Sequence, residues 1–249
     1  MKEKYFKFSA GQMAYYLEGQ GKPVVILHGW GQNFFSFKNI MEALKDDYLI
    51  IGVDFLGFGL SDEPTYPLTI EDFTFQLKTL LEFLEIKNPS IIAHSFGGRV
   101  ASRYASNNNV DKLILVSSAG IKNRSIKKYY NIFKYKILKR IYKIFSKRKY
   151  EILINSSGSS DYRRANGVMR RTLSNVVNYS SIKDLKNIFG KVYLLWGIND
   201  PETKYEDAKK MSKILKHSTI IPFYNSGHFC YIEEENKFIR ELSIILREK

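Results

Sequence analysis

With 249 residues and 44% apolar content, the chain can bury the core of one large α/β domain or two small ones, a single domain with an insertion being the expectation, and its single cysteine, Cys230, excludes an internal disulfide and any Cys-cluster metal site. The opening stretch MKEKYFKFSA has no apolar run of the signal-peptide kind, and nowhere do eighteen uncharged apolar residues stand together, so the expectation is a cytoplasmic protein without a membrane span. The formal charge of +14 is concentrated: residues 121–190 hold eighteen Lys and Arg against Glu151, Asp161 and Asp184, a local +15, while the remainder sums to −1.

Along the chain, two runs near 5–9 and 12–18 read as an antiparallel hairpin at a sheet edge. Continuously apolar runs follow at 23–28, 48–54, 90–95, 112–118, 191–197 and 218–223. Such runs suit parallel strands covered on both faces. Between them, apolar residues recur at helical spacing over 34–46, 69–86, 97–107, 204–216 and 236–248, with Thr69 and Asp72 forming a helix-start signal. Alternating strands and helices imply a mostly parallel sheet with right-handed crossovers. The alternation stops over 121–189, where a basic amphipathic stretch, IKKYYNIFKYKILKRIYKIFSKRK, a Ser/Gly break at 155–160 and a helical run over 161–178 predict a helical insertion. The expected organisation is a core of 1–120 and 190–249, with 121–189 as a basic helical cap.

The segment IIAHSFGGRVA (91–101) puts Ser95 at the carboxyl end of a strand, directly before a helix opened by Gly97 and Gly98. A sharp turn there exposes the central side chain and needs small residues two before and two after; Ala93 and Gly97 fill those places, one Ala for Gly away from G-x-S-x-G. A serine nucleophile needs a histidine base oriented by a carboxylate. Of the four histidines, His94 lies beside Ser95 with its side chain expected to point away, His217 ends a charged helix, and His28 suits loop shaping. His228, in YNSGHFCYIEE after the last strand, is the expected base. Asp200, following KVYLLWG, is the expected orienting acid; Asp54, in DFLGFGLSD, belongs to a glycine-rich turn. The amides of Trp30, in HGWGQ, and of Phe96, at a helix start, are the candidate oxyanion donors. HGWGQ lacks the third glycine of a dinucleotide loop, and no Walker sequence occurs. Around these loops His28, Gly29 and His94 are candidate substrate contacts, joined by Arg163, Arg164, Arg170 and Arg171 from SSDYRRANGVMRRTL, with Arg163 and Arg170 put forward among the four.

In order, HGWGQ, DFLGFGLSD, AHSFGG, WGIND and SGHF resemble the oxyanion loop, Gly-rich loop, nucleophile elbow, acid loop and histidine loop of the α/β-hydrolase superfamily. The resemblance implies an eight-stranded sheet flanked by helices, an inserted cap and no cofactor or metal. It is much less informative about substrate. Epoxide hydrolases and haloalkane dehalogenases of this fold use an elbow aspartate, so Ser95 points instead to acyl transfer on a small-molecule ester. Carboxylesterases, thioesterases, monoacylglycerol or lysophospholipid lipases, C–C hydrolases and pimeloyl-[acyl-carrier protein] methyl ester esterase all remain open. For the basic insertion the readings are a solvated lid, contact with an anionic membrane surface, or recognition of an acidic carrier protein; nucleic acid is not expected. A non-catalytic ligand-binding protein on the same fold is the alternative of another class.

Overall fold

The computed structural model describes residues 2–121, 126–156, 160–165 and 167–248; the Ser/Gly break expected at 155–160 lies partly outside them. Strands β1 (Lys4–Phe8) and β2 (Gly11–Glu18) form the edge hairpin, and β2 also runs antiparallel to β4 (Tyr48–Val53). The remaining strands β3 (Lys22–Leu27), β5 (Ser90–His94), β6 (Lys112–Val116), β7 (Lys191–Gly197) and β8 (Ser218–Phe223) pair in parallel with their neighbours. Eight strands thus form one sheet in the order β1-β2-β4-β3-β5-β6-β7-β8.

The uninterrupted apolar strand runs follow from this layering. Val25, Leu27, Ile91, Leu113 and Leu194 join one core, whereas Val24, Ile26, Ile92, Ile114 and Leu195 join a second on the opposite face. Alternate side chains of each strand therefore need separate apolar cover. The first core is completed by α2 (Ile70–Phe83), α3 (Phe96–Ala105) and α9 (Tyr205–Ile214), through residues such as Phe73, Leu77, Val100 and Met211. The second is completed by α1 (Lys38–Leu44) and α11 (Glu235–Arg247), through Met41, Leu44, Phe238 and Leu242.

Helix boundaries follow local chemistry. The expected helix at 34–46 divides into a 3₁₀ turn, Phe34–Phe37, and α1. Helix α2 starts at the predicted signal: Thr69 Oγ1 accepts the Asp72 N–H at 3.2 Å, and Asp72 Oδ2 accepts the Thr69 N–H at 2.7 Å. Thr69→Ala should cost about 1 kcal/mol of unfolding free energy in urea titration.

Between β6 and β7 the described residues form helices α4 (Ile126–Phe145), α5 (Lys147–Ser156), α6 (Ser160–Arg164), α7 (Gly167–Asn178) and α8 (Ile182–Lys186). The helical run expected over 161–178 is thus two helices. A four-residue helix α10, Cys230–Glu233, precedes α11. No helix among the described residues is long and apolar enough to cross a membrane.

Strand order locates the crevice. From β3 the chain passes first to β4 on one side and then, through α2, to β5 on the other, so connections diverge at the carboxyl ends of β3 and β5. In open α/β sheets that divergence leaves a gap in which loops from several strands meet.

Candidate active site

Ser95 stands between β5 and α3 with φ 48° and ψ −109°. A non-glycine residue held there carries strain on the order of 1–3 kcal/mol, which surrounding bonds must enforce. They do so on both sides: the Ser95 N–H donates to the Val116 carbonyl at 3.0 Å, and the Ser95 carbonyl accepts from Gly98 at 3.1 Å and Ala119 at 3.0 Å. The small residues after it answer to close neighbours. A Cβ on Gly97 would lie 2.7 Å from the carbonyl oxygens of both Leu27 and His28, and one on Gly98 would meet the Ser118 hydroxyl at 2.0 Å. Crowding at this elbow therefore comes from the ends of β3 and β6, in addition to the helix–strand approach expected from sequence.

His228 follows β8, and Asp200 follows β7. Both are buried, and His228 Nδ1 lies 2.8 Å from Asp200 Oδ2. The carboxylate is held from several directions. Its Oδ1 accepts the N–H groups of Glu202 at 2.8 Å and Thr203 at 2.9 Å, while Oδ2 also accepts the Thr203 hydroxyl at 2.7 Å. Burial by itself would raise the Asp200 pKa, but the hydrogen bond and charge of His228 together with the Thr203 donors outweigh it and hold the carboxyl below its ordinary value. An ionised Asp200 accepts only, so His228 Nδ1 carries the proton and Nε2 presents its lone pair. Glu202 Oε2 lies 3.4 Å from that Nε2, placing a second, exposed carboxylate beside the ring.

The β3 loop is braced from beneath. Asp54 is buried and accepts from the Tyr16 hydroxyl (2.9 Å), the Phe34 N–H (2.7 Å) and the Leu60 N–H (2.9 Å). His28 is wholly buried; its Nδ1 donates to the Gly29 carbonyl at 2.7 Å, leaving Nε2 to accept the Phe55 N–H at 3.0 Å. Burial lowers the His28 pKa, in keeping with this neutral tautomer. Gly29 to Gln32 close a turn through Gln32 N–H to Gly29 carbonyl at 3.2 Å, and Gly31 takes the φ of +74° that such a turn requires of its third residue. Trp30 is thus held at the tip, its ring 5.6 Å from that of Phe96. Phe96 supplies the first amide of α3, one of the helix-start donors without an intrahelical acceptor.

A polar link joins this loop to the histidine loop. Gln32 Oε1 accepts the Gly29 N–H at 3.0 Å and lies 2.8 Å from His94 Nδ1, and Gln32 Nε2 donates to the Tyr231 hydroxyl at 2.7 Å. His94 Nε2 lies 2.9 Å from the His228 carbonyl. Burial, then the neighbouring His228 charge, lowers the His94 pKa to about 3, so this imidazole stays neutral and its single N–H serves one of the two oxygens, Gln32 Oε1 or the His228 carbonyl, at a time.

These loops open on a cleft of about 850 Å³ whose walls include Gly29, Trp30, His94, Ser95, His228 and Phe229. Residues of the insertion complete it: Asp161, Arg164, Ala165 and Met169. Among the residues expected from sequence, Ser95, His228, Trp30, Gly29 and His94 meet at this cleft, with Asp200 behind His228. His28 is placed under the loop, where its two ring bonds leave it no face for a ligand. Arg163 is not on the cleft wall; its neighbour Arg164 is. Arg170 instead donates to the Ala165 carbonyl at 2.8 Å and lies over the Tyr162 ring at 5.3 Å, bracing α6 against α7. Sequence reasoning passed over Gln32 and Thr203. Thr203 carried a usable signal, a hydroxyl residue three positions after an acid at a strand end, where side chain and amide turn back on the carboxylate. Burial raises the Cys230 thiol to about 12, so it stays protonated.

Comparison with known proteins agrees with this architecture. Residues 22–134 match the family model described as alpha/beta hydrolase fold. The AB hydrolase superfamily protein YisY of Bacillus subtilis is 27% identical over 239 residues, covering 88% of this chain and 89% of that protein. A more local match, 32% over 123 residues, links 47% of this chain to 39% of the cis-3-alkyl-4-alkyloxetan-2-one decarboxylase of Shewanella oneidensis. Among solved structures, the esterase EaEST from Exiguobacterium antarcticum superposes with a TM-score of 0.76 at 23% identity, covering 96% of each chain, a likeness of fold. Sheet order, strand-end loops and these likenesses agree, and the chain has the alpha/beta hydrolase fold.

Proposed function

We propose that this chain is a serine hydrolase that cleaves a carboxylic ester through an acyl-enzyme on Ser95. The observation that carries the reading is the 2.8 Å His228–Asp200 bond at the cleft that Ser95 also lines. His228 Nε2 takes the hydroxyl proton as Ser95 Oγ attacks the ester carbonyl, and Asp200 stabilises the imidazolium that results. The amides of Trp30 and Phe96 receive the oxyanion. His228 then delivers the proton to the departing alcohol; water, deprotonated by the same imidazole, attacks the acyl carbonyl and releases the acid, restoring Ser95. Residues 121–189 serve as a cap, since α6 and α7 supply one wall of the cleft. Glu63, Asp161 and Glu202 face that space against Arg164, a balance that favours uncharged esters over anionic ones.

Reaction with a fluorophosphonate, followed by peptide mass analysis, tests the assignment. The expected adduct lies on the peptide containing Ser95, with p-nitrophenyl ester hydrolysis lost in proportion to labelling. Labelling elsewhere, or hydrolysis that survives full modification of Ser95, overturns it.

A further inference from the structure

The most exposed large apolar side chains among the described residues sit together, at the end of α4: Ile144 is 73% and Phe145 78% exposed. Ile137 and Ile141 are exposed as well, and 137, 141, 144 and 145 fall within one side of a helix by their spacing. Leu138 and Tyr142 are half-buried. The chain hardly breaks there, because the Ser146 N–H donates to the Tyr142 carbonyl at 3.0 Å and the Tyr150 N–H to the Ser146 carbonyl at 2.9 Å, carrying α4 on into α5. Around this apolar stripe Arg140, Lys143, Lys147, Arg148 and Lys149 are all exposed. Over residues 126–156 the sequence holds ten Lys and Arg and one acid, Glu151.

We propose that the α4–α5 segment docks peripherally on an anionic lipid bilayer, with Ile137, Ile141, Ile144 and Phe145 entering the headgroup and acyl boundary and the surrounding cations meeting lipid phosphates. Charge decides the occupant. A second copy of the segment would bring like charges together, whereas an anionic bilayer satisfies the cations and gives the exposed isoleucines and phenylalanine an apolar medium. An acidic protein would satisfy the cations while leaving Ile144 and Phe145 to find a matching apolar pocket. The inference is independent of the chemistry assigned to Ser95.

The test is sedimentation of the full chain with vesicles of phosphatidylcholine alone or mixed with phosphatidylglycerol, at low and high salt. Binding is expected to the mixed vesicles only and to weaken with salt. Two variants separate the contributions: K143Q/K147Q/R148Q/K149Q and I144S/F145S should each weaken binding about tenfold or more, with circular dichroism and melting temperature as folding controls. A Phe145→Trp reporter should shift its emission to the blue on mixed vesicles, and it keeps the test decisive if either multiple variant fails to fold. Absence of binding to the mixed vesicles, or no shift in the reporter, refutes the proposal. Binding that the glutamine variant loses but I144S/F145S keeps also refutes it, and points to a purely electrostatic acidic partner.

Discussion

Ser95→Ala is expected to remove ester hydrolysis, with kcat falling on the order of 10⁶-fold, while the protein keeps its fold and its melting temperature. The large number follows from role: without the hydroxyl there is no acyl-enzyme, and the oxyanion donors and cleft can contribute only residual rate to direct attack by water. Fold retention follows from the backbone, since Ser95 is anchored through its own N–H and carbonyl to Val116, Gly98 and Ala119, bonds that alanine preserves. A companion variant separates catalysis from strain. Ser95→Gly should be equally inactive yet more stable by about 1 kcal/mol, because glycine occupies the φ of 48° without a Cβ penalty. Full activity in either variant rules out Ser95 as the nucleophile. Inactive Ser95→Gly without added stability leaves the nucleophile assignment intact and removes the claim of stored strain.

Much of this architecture was legible in the sequence because the strands are buried on both faces, which turns each into an unmistakable apolar run, and because Thr69 and Asp72 mark a helix start by local bonding. The residues Ser95, Asp200 and His228 were legible for a related reason: each follows a strand in the same direction, so parallel topology alone brings them to one edge. What sequence could not reveal were contacts set by packing between distant segments. Gln32 joins Gly29, His94 and Tyr231 across 199 residues of chain in its longest bond. No local pattern announces such a bridge. Among the four candidate arginines, Arg164 lines the cleft while Arg163, Arg170 and Arg171 do not, a choice made by helical phase that composition does not announce. His94 was expected to point away from the chemistry, and in the structure its ring lies 4.7 Å from that of His228, with Nε2 2.9 Å from the His228 carbonyl.

Asp200→Asn should lower kcat roughly 10⁴-fold with little change in KM, and the reason lies in which partners each carboxylate oxygen serves. Oδ1 accepts the Glu202 and Thr203 N–H groups, so the amide oxygen of asparagine takes that place and the loop keeps its shape. The amide nitrogen is then left in the position of Oδ2, 2.8 Å from His228 Nδ1. As a donor it forces Nδ1 to accept, moves the proton to Nε2, and leaves Ser95 facing an N–H that cannot take its proton. Asp200 is not on the cleft wall, so substrate binding should persist. A second readout comes from linkage: because the Asp200 carboxyl is held below its unfolded value, its ionised form stabilises the fold above the ordinary carboxylate range, and that share is lost as pH falls through the lowered value. The asparagine variant should lack that component of acid sensitivity. Steady-state kinetics with melting curves across acid pH check both halves, and a variant retaining wild-type kcat would remove Asp200 from the proposed relay.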